Sequence, residues 1–235
     1  MASYVMSIDQ GTTGTTVLIL DRRLGLRAKV NQEYRQIFPR PGWVEHDLED
    51  IWNSTAAMVK KALTQAGVKG KDLAAIGITN QRETVGMWSR KTGRPLHHAI
   101  VWQDRRTAER CDELRALGGE AVVRERTGLV IDSYFSATKY AWLFRHAGVP
   151  ADAAVGTIDS WLIYRLTGGR AHVTDATNAS RTLLYDIGRG RWDGEILDWL
   201  NIPENVLPEV LDSAAKFGET PVIEPGIADP PPPGK

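Results

Sequence analysis

The segment Asp9-Gln10-Gly11-Thr12-Thr13-Gly14-Thr15-Thr16 joins two β-prone runs, Tyr4–Ile8 and Val17–Leu20. Gly11 and Gly14 leave backbone amides unhindered, and four threonine hydroxyls stand beside them. Such a turn can wrap phosphate oxygens. A carboxylate at the end of an apolar strand is costly unless paired or metal-bound, so Asp9 is a candidate to hold Mg²⁺, directly or through water. The turn is not a P-loop, because it lacks the Gly-Lys-Ser/Thr ending and leads into a strand. The plain alternative is a hairpin with an incidental Asp. A second polar segment, Thr79-Asn80-Gln81-Arg82-Glu83-Thr84, interrupts the apolar runs Ala75–Ile78 and Val85–Trp88. It holds no Gly, Pro or Asp and is a poor tight turn. Arg82 beside Glu83 presents donors and acceptors together, which suits vicinal hydroxyls; the alternative is an exposed loop with a weak local ion pair. Trp102, at the end of a strand, can cover the carbon side of a small polyol, and Tyr134 offers a hydroxyl beside an apolar face. Core packing for the one and a capped hydrophobic corner for the other are the competing readings.

The elements that must position these residues follow from periodicity. Tyr4–Ile8, Thr15–Leu20 and Leu26–Ile37 read as three strands with short connections, hence an antiparallel meander. Asp47 is an N-cap with Glu49 and Asp50 in the first turn. Leu48, Ile51, Trp52, Thr55, Met58, Val59, Ala62 and Leu63 form one apolar face, and Gly67 ends the helix. Strands are expected at Leu73–Thr79, Thr84–Trp88, Ala99–Trp102 and Val155–Ile158. Helices are expected at Asp104–Leu117, Ala137–His146, Asp159–Thr167 and Glu195–Leu200. Strands first and alternating units afterwards indicate an α/β or mixed α+β domain. Pro221–Lys235 holds six of the twelve prolines and reads as an extended linker or a severed edge.

Composition removes several function classes. The 235 residues carry 29 Lys+Arg against 29 Asp+Glu, and 42% are apolar. Zero formal charge argues against a nucleic-acid binder, and the apolar content against disorder. The single Cys111 forms no intrachain disulfide, as expected of a protein of the reducing cytosol. No apolar run approaches the length of a membrane span, and the N-terminus lacks the basic region of a signal peptide.

Ile8-Asp9-Gln10-Gly11-Thr12-Thr13 resembles the first phosphate motif of the sugar-kinase, heat-shock ATPase and actin superfamily. More narrowly, it resembles that of the FGGY family of carbohydrate kinases, and Gly77–Thr84 is similar to the glycerol-contacting segment of the glycerol kinases within it. Pro41–Asp47, Gly156–Leu162 and Val173–Thr182 also match, the last two reading as scaffold. The resemblance covers about residues 4 to 228. It implies a ribonuclease-H-like, actin-type lobe: a mixed five-stranded sheet, its first three strands antiparallel, with flanking helices on both faces. Residues 1–220 would form the lobe and 221–235 the linker or edge. It implies ATP-dependent phosphorylation of glycerol with ATP and Mg²⁺. Arg82, Glu83, Trp102 and Tyr134 would line the polyol site, Thr12, Thr13 and Gly14 would cradle phosphates, and Asp9 would serve the metal.

Four departures accompany the match. A glycerol kinase is about twice this long, so a second lobe is expected but lies outside this sequence. The catalytic aspartate of Gly-Ile-Ala-Gly-Asp-Gln corresponds to Asp229 in Gly226-Ile227-Ala228-Asp229-Pro230, with a glycine missing and proline following. Thr16 stands where the family commonly has Arg. Ala147–Val155 and Lys216–Gly226 are short, and the latter lacks a glycine-rich basic loop. A lone lobe is expected to be inactive and, with its partner face bare, to self-associate. A non-catalytic binding module of the same fold and a kinase for a longer sugar remain as alternatives.

Overall fold

The computed structural model describes residues 3–148 and 150–221. The chain opens with β1 (Tyr4–Gln10), β2 (Gly14–Asp21) and β3 (Leu26–Glu33), an antiparallel meander as the short connections require. A two-residue strand, β4 (Glu45–His46), precedes helix α1 (Leu48–Ala66). The Asp47 carboxylate accepts from Glu49 N–H to cap α1, and Gly67 closes it in the left-handed conformation at φ 64°. The chain then returns as β5 (Leu73–Asn80), parallel to β1, to complete a sheet of order β3-β2-β1-β5.

Among the described residues this mixed sheet has four strands, not the expected five. Helices were expected on both faces. Strand alternation sends Met6, Ile8, Val17 and Ile19 into a core shared with α1 and with α5 (Ile158–Leu166), whereas Val5 and Asp9 on the other face stay exposed.

The second half contributes β6 (Val85–Ser89), β7 (Ala99–Ile100), α2 (Ala108–Ala116), α3 (Gly119–Thr127), α4 (Ala137–Ala147) and β8 (Ala153–Thr157). Strands β4-β7-β6-β8 form a second, wholly antiparallel sheet. Its central strand β6 is buried along its length. A second core surrounds it, built from Val85, Met87, Ile100, Leu143 and Val155. After α5 come β9 (Val173–Asp175), α6 (Ala176–Ala179), β10 (Tyr185–Asp186), β11 (Arg191–Trp192), α7 (Gly194–Leu200) and β12 (Glu209–Leu211). Trp161 of α5 donates its indole N–H to the Leu48 carbonyl at 3.0 Å, tying the α5 layer to the start of α1. The helix expected over Asp104–Leu117 forms only from Ala108, and a second helix, α3, follows it after a left-handed Gly118.

Candidate active site

The turn between β1 and β2 is closed by Gly11 N–H donating to the Gly14 carbonyl at 2.9 Å. Gly14 is needed for a close approach: a Cβ there would lie 2.7 Å from the Gln32 carbonyl oxygen, a backbone atom of β3. Thr13 is exposed and Thr12 half-buried. Thr16, at the position of the family's Arg, accepts from Asn31 Nδ2 at 2.9 Å across the β2–β3 ladder. The burial expected at Asp9 does not occur. The strand's two-residue alternation places it on the open face with Val5, so desolvation gives no reason for a metal there.

Beneath the turn lies a buried polar network that joins it to the second polar segment. Tyr34 Oη donates to the Gly11 carbonyl at 2.6 Å and accepts from Gln10 Nε2 and Gln81 Nε2, both at 2.8 Å. Gln36 Nε2 donates to the Thr12 carbonyl at 3.0 Å, which leaves its Oε1 as the acceptor facing His46 Nε2 at 2.7 Å. His46 therefore carries its proton on Nε2, with Nδ1 facing Gln81 Nε2 at 3.3 Å. Burial pulls His46 down to about 4 and pushes the Tyr34 phenol up to about 12, so both are neutral.

Gln81 belongs to the second polar segment and leads directly to Arg82 and Glu83. Its Oε1 accepts from Thr84 Oγ1 at 2.9 Å, and between them the chain makes a three-residue turn, Thr84 N–H donating to the Arg82 carbonyl at 2.7 Å. The tight turn that composition disfavours is thus present. Its central residue, Glu83, has φ 62° without being glycine, the sign found in the rare γ-turn. The cost is of order 1–3 kcal/mol and persists only where surrounding structure imposes it. Glu83 is buried and Arg82 exposed, pointing to different fates for the two neighbours.

Trp102 and Tyr134 meet with ring centroids 5.4 Å apart, both half-buried. Trp102 N–H donates to Thr84 Oγ1 at 3.3 Å, and its indole Nε1–H donates to Thr12 Oγ1 at 3.0 Å. One residue therefore touches both the β1–β2 turn and the Arg82–Thr84 turn. The loop carrying Trp102 is pinned by Arg106, whose wholly buried guanidinium bonds Glu45 and Asp104 at 2.7 and 2.8 Å. Arg106 lies over the rings of Trp43 and Trp142, with centroids 3.8 and 4.6 Å away.

Three residues at this site escaped the sequence reading. Lys139, fully buried on α4, donates at 2.7 Å to each of the carbonyls of Ser133, Tyr134 and Phe135, fixing the Tyr134 loop. Burial pulls its ammonium down to about 7, yet three acceptors need three N–H donors, which only the charged form supplies. Arg181 Nε donates to Glu83 Oε1 at 2.8 Å. Asn178 Oδ1 accepts from Asn80 Nδ2 at 3.1 Å. The last two belong to Val173–Thr182, expected to be scaffold only. The local signal was a lysine on a helix face of buried neighbours; Arg181 and Asn178 had none.

The structure thus brings Thr12, Glu83, Trp102 and Tyr134 into one contiguous site through Thr84 and the aromatic pair. Gly14 and Thr13 belong to its turn, and Arg82 lies beside it along an open trough of about 1380 Å³ that also takes in Asn80, Asn178 and Phe217. Asp229 and the Pro221–Lys235 reading from residue 222 onward lie outside the described residues.

Comparisons with known proteins bear on the fold and the family. The family model for the FGGY family of carbohydrate kinases, N-terminal domain, matches residues 4–224. A Brucella ovis glycerol kinase is 55% identical over 226 residues, covering 94% of this chain and 45% of that protein. A Deinococcus radiodurans glycerol kinase is 52% identical over 223 residues, covering 92% and 44%. The crystal structure of Plasmodium falciparum glycerol kinase with ADP superposes with a TM-score of 0.86 at 36% identity, over 94% of this chain and 46% of that one. The chain spans about half the length of the curated relatives it matches. A match to the N-terminal domain model over nearly its whole length, on a lobe with this meander and parallel return strand, places the chain in the FGGY family of carbohydrate kinases.

Proposed function

We propose that this chain supplies the polyol site and the phosphate turn of an ATP-dependent glycerol kinase. The observation that carries the reading is Trp102, whose indole N–H bonds Thr12 of the phosphate turn while its ring packs on Tyr134 beside Glu83. A short polyol seated on that ring has its terminal oxygen next to the place where phosphate would lie, which is what transfer demands. Glu83 and Arg82 then accept from and donate to the hydroxyls, and Tyr134 closes the carbon side. Thr12, Thr13 and the Gly14 turn face the phosphates.

In the reaction a base takes the proton of the terminal hydroxyl, that oxygen attacks the γ-phosphorus in line, and ADP leaves. Catalysis is mainly positioning and charge neutralisation. The base by family resemblance is Asp229. Asp9 is the residue here suited to Mg²⁺: an exposed carboxylate whose cross-strand neighbours are Thr16 and Thr79. Among the described residues no group of three or more His, Cys, Asp or Glu side chains could hold a metal alone. One carboxylate beside phosphate oxygens and water is nevertheless a donor set that Mg²⁺ accepts. When bound, the ion neutralises phosphate charge. Among the described residues no helix is long and apolar enough to cross a membrane; with a single buried thiol, a cytoplasmic location is our reading.

A coupled assay for glycerol 3-phosphate tests the function. The 235-residue chain alone is expected to give no turnover, because nothing closes over the nucleotide and water stays at the γ-phosphate. Turnover within the usual enzyme range of about 1–1,000 s⁻¹ would refute that division of labour. The outer edge of β5 is unpaired among the described residues, with Ala74, Ala75 and Gly77 exposed. Concentration-dependent self-association is therefore expected in sedimentation, and a monomer at all concentrations would count against an adhesive partner face.

A further inference from the structure

Glu83 is held more elaborately than a solvent-facing ligand requires. It occupies the centre of a turn at φ 62°. Its carbonyl accepts from Ser136 Oγ at 3.2 Å, and its carboxylate, almost wholly buried, accepts from Arg181 Nε at 2.8 Å. Arg181 comes from the segment after α6, far along the chain, and its guanidinium rests over the Phe135 ring, 5.0 Å from the centroid. Phe135 lies between Tyr134 and Ser136, so the contacts close a ring: Glu83, Arg181, Phe135, Ser136 and back to Glu83. Arg181 bonds only Oε1. Among the described residues no donor reaches Glu83 Oε2, and that atom is not among the buried side-chain atoms lacking a partner. One carboxylate oxygen is thus tied back to the protein, and the other has no partner among the described residues.

We propose that Arg181 is a positioning residue of the polyol site: it holds the Glu83 carboxylate aimed so that Oε2 accepts from a substrate hydroxyl. This rests on the reading of Glu83 as a polyol ligand. A buried carboxylate without a partner is costly and would draw its turn toward water. The strained turn makes Glu83 especially dependent on its partner, since relaxing φ to a common value would swing the carboxylate away. Stacking on Phe135 in turn fixes the plane of the guanidinium, so the pair transmits the position of the Tyr134 loop to Glu83.

The test is a double-mutant cycle on the 235-residue chain, read as glycerol affinity by calorimetry. Glu83→Gln and Arg181→Met are each expected to weaken glycerol binding about tenfold or more, as loss of a charged hydrogen bond would. The double variant should be no weaker than Glu83→Gln alone, and Arg181→Lys should recover part of the loss. Independently of glycerol, the Arg181 Nε–H resonance should be shielded from exchange in the wild type and lose that protection in Glu83→Gln. Losses that add in the double variant, or an Arg181→Met chain that binds like wild type while Glu83→Gln does not, overturn the proposal and leave the polyol reading standing. A wild-type chain that takes up no glycerol, with the Nε–H protection present, overturns the polyol reading and the proposed role with it.

Discussion

Replacing Gln81 by leucine tests whether the network under the two turns is a dry, satisfied structure. Gln81 is nearly fully buried, and its amide faces five neighbours. Its Nε2 faces Tyr34 Oη at 2.8 Å, Gln10 Oε1 at 3.1 Å, His46 Nδ1 at 3.3 Å and the Gly11 carbonyl at 3.4 Å, while Oε1 takes the Thr84 hydroxyl at 2.9 Å. Two N–H groups cannot satisfy four acceptors fully, so the short bonds to Tyr34 and Gln10 dominate. Leucine fits the volume but leaves Gln10 Oε1 without a donor and the Thr84 O–H without an acceptor, although Thr84 Oγ1 still accepts from Trp102 N–H. Tyr34 is less affected, because it still donates to Gly11 and accepts from Gln10. Two buried orphans at about 1–3 kcal/mol each, partly offset by the leucine's own burial, give a loss of about 3 kcal/mol. For a chain of this size that lowers Tm by about 6–12 °C. Urea unfolding followed by tryptophan fluorescence, with a melting curve, measures it. Gln81→Leu within about 1 kcal/mol of wild type would mean that water already fills the network and that the two turns are not rigidly joined.

Two other predictions rest on single contacts. Gly14→Ala forces a methyl to 2.7 Å from the Gln32 carbonyl and 3.1 Å from Glu33 Cα, both backbone, so β2 and β3 must part and about 1–3 kcal/mol is lost. Gly77→Ala, with nothing within 4 Å of the new atom, should be neutral or stabilising, and equal losses at both sites would refute the steric argument. On acidification, His46 and His172, both pulled down to about 4 by burial, resist charging in the fold while the unfolded chain charges near 6.5. Their contribution is complete above 6.5 and is lost as pH falls toward 4, by about 3 kcal/mol for His46. Asp159, raised to about 6 by burial, has the opposite sign: its contribution is complete below 3.8 and is lost as pH rises through 6. Two histidines outweigh one carboxyl, so the urea midpoint should drop between about pH 7 and about pH 5, and a flat or rising midpoint would contradict the histidine assignment.

The parts of the fold that were legible are those with local causes. The meander followed from short turns, and α1 from Asp47, its spaced apolar face and Gly67. α3 was missed because Gly119–Thr127 buries only Gly119, Val123 and Thr127 and so has no apolar stripe to read. Three strands of the second sheet were legible, at Thr84–Trp88, Ala99–Trp102 and Val155–Ile158, but their pairing into a separate sheet was not. Its β4 has two residues, too few to alternate, and the sheet assembles strands from Glu45 to Thr157. At the site, the residue types were legible and their surroundings were not. Asp9 looked buried because its strand is apolar, yet the sheet leaves that face open. Glu83 looked like loop because no glycine marks its positive φ. The turn is imposed by Ser136 and Arg181, whose positions depend on tertiary structure alone.

The two turns are joined by two separate routes, and this bears on how such a site works. On the accessible side Trp102 spans from Thr84 to Thr12. On the buried side Gln81, Tyr34, Gln10, His46 and Gln36 span from Thr84 to the carbonyls of Gly11 and Thr12. A single bridge would let one turn pivot about the other; two bridges at different depths remove that rotation. Phosphoryl transfer needs the acceptor oxygen and the phosphorus held in line, and small misplacements cost large factors in rate. On the proposed reading, a lobe that fixes the polyol turn against the phosphate turn before any ligand arrives has already met part of that cost. The strain at Glu83 is consistent with this order of events, since a backbone held in an unfavourable conformation by Gln81, Ser136 and Arg181 cannot be a shape that the substrate itself has to impose.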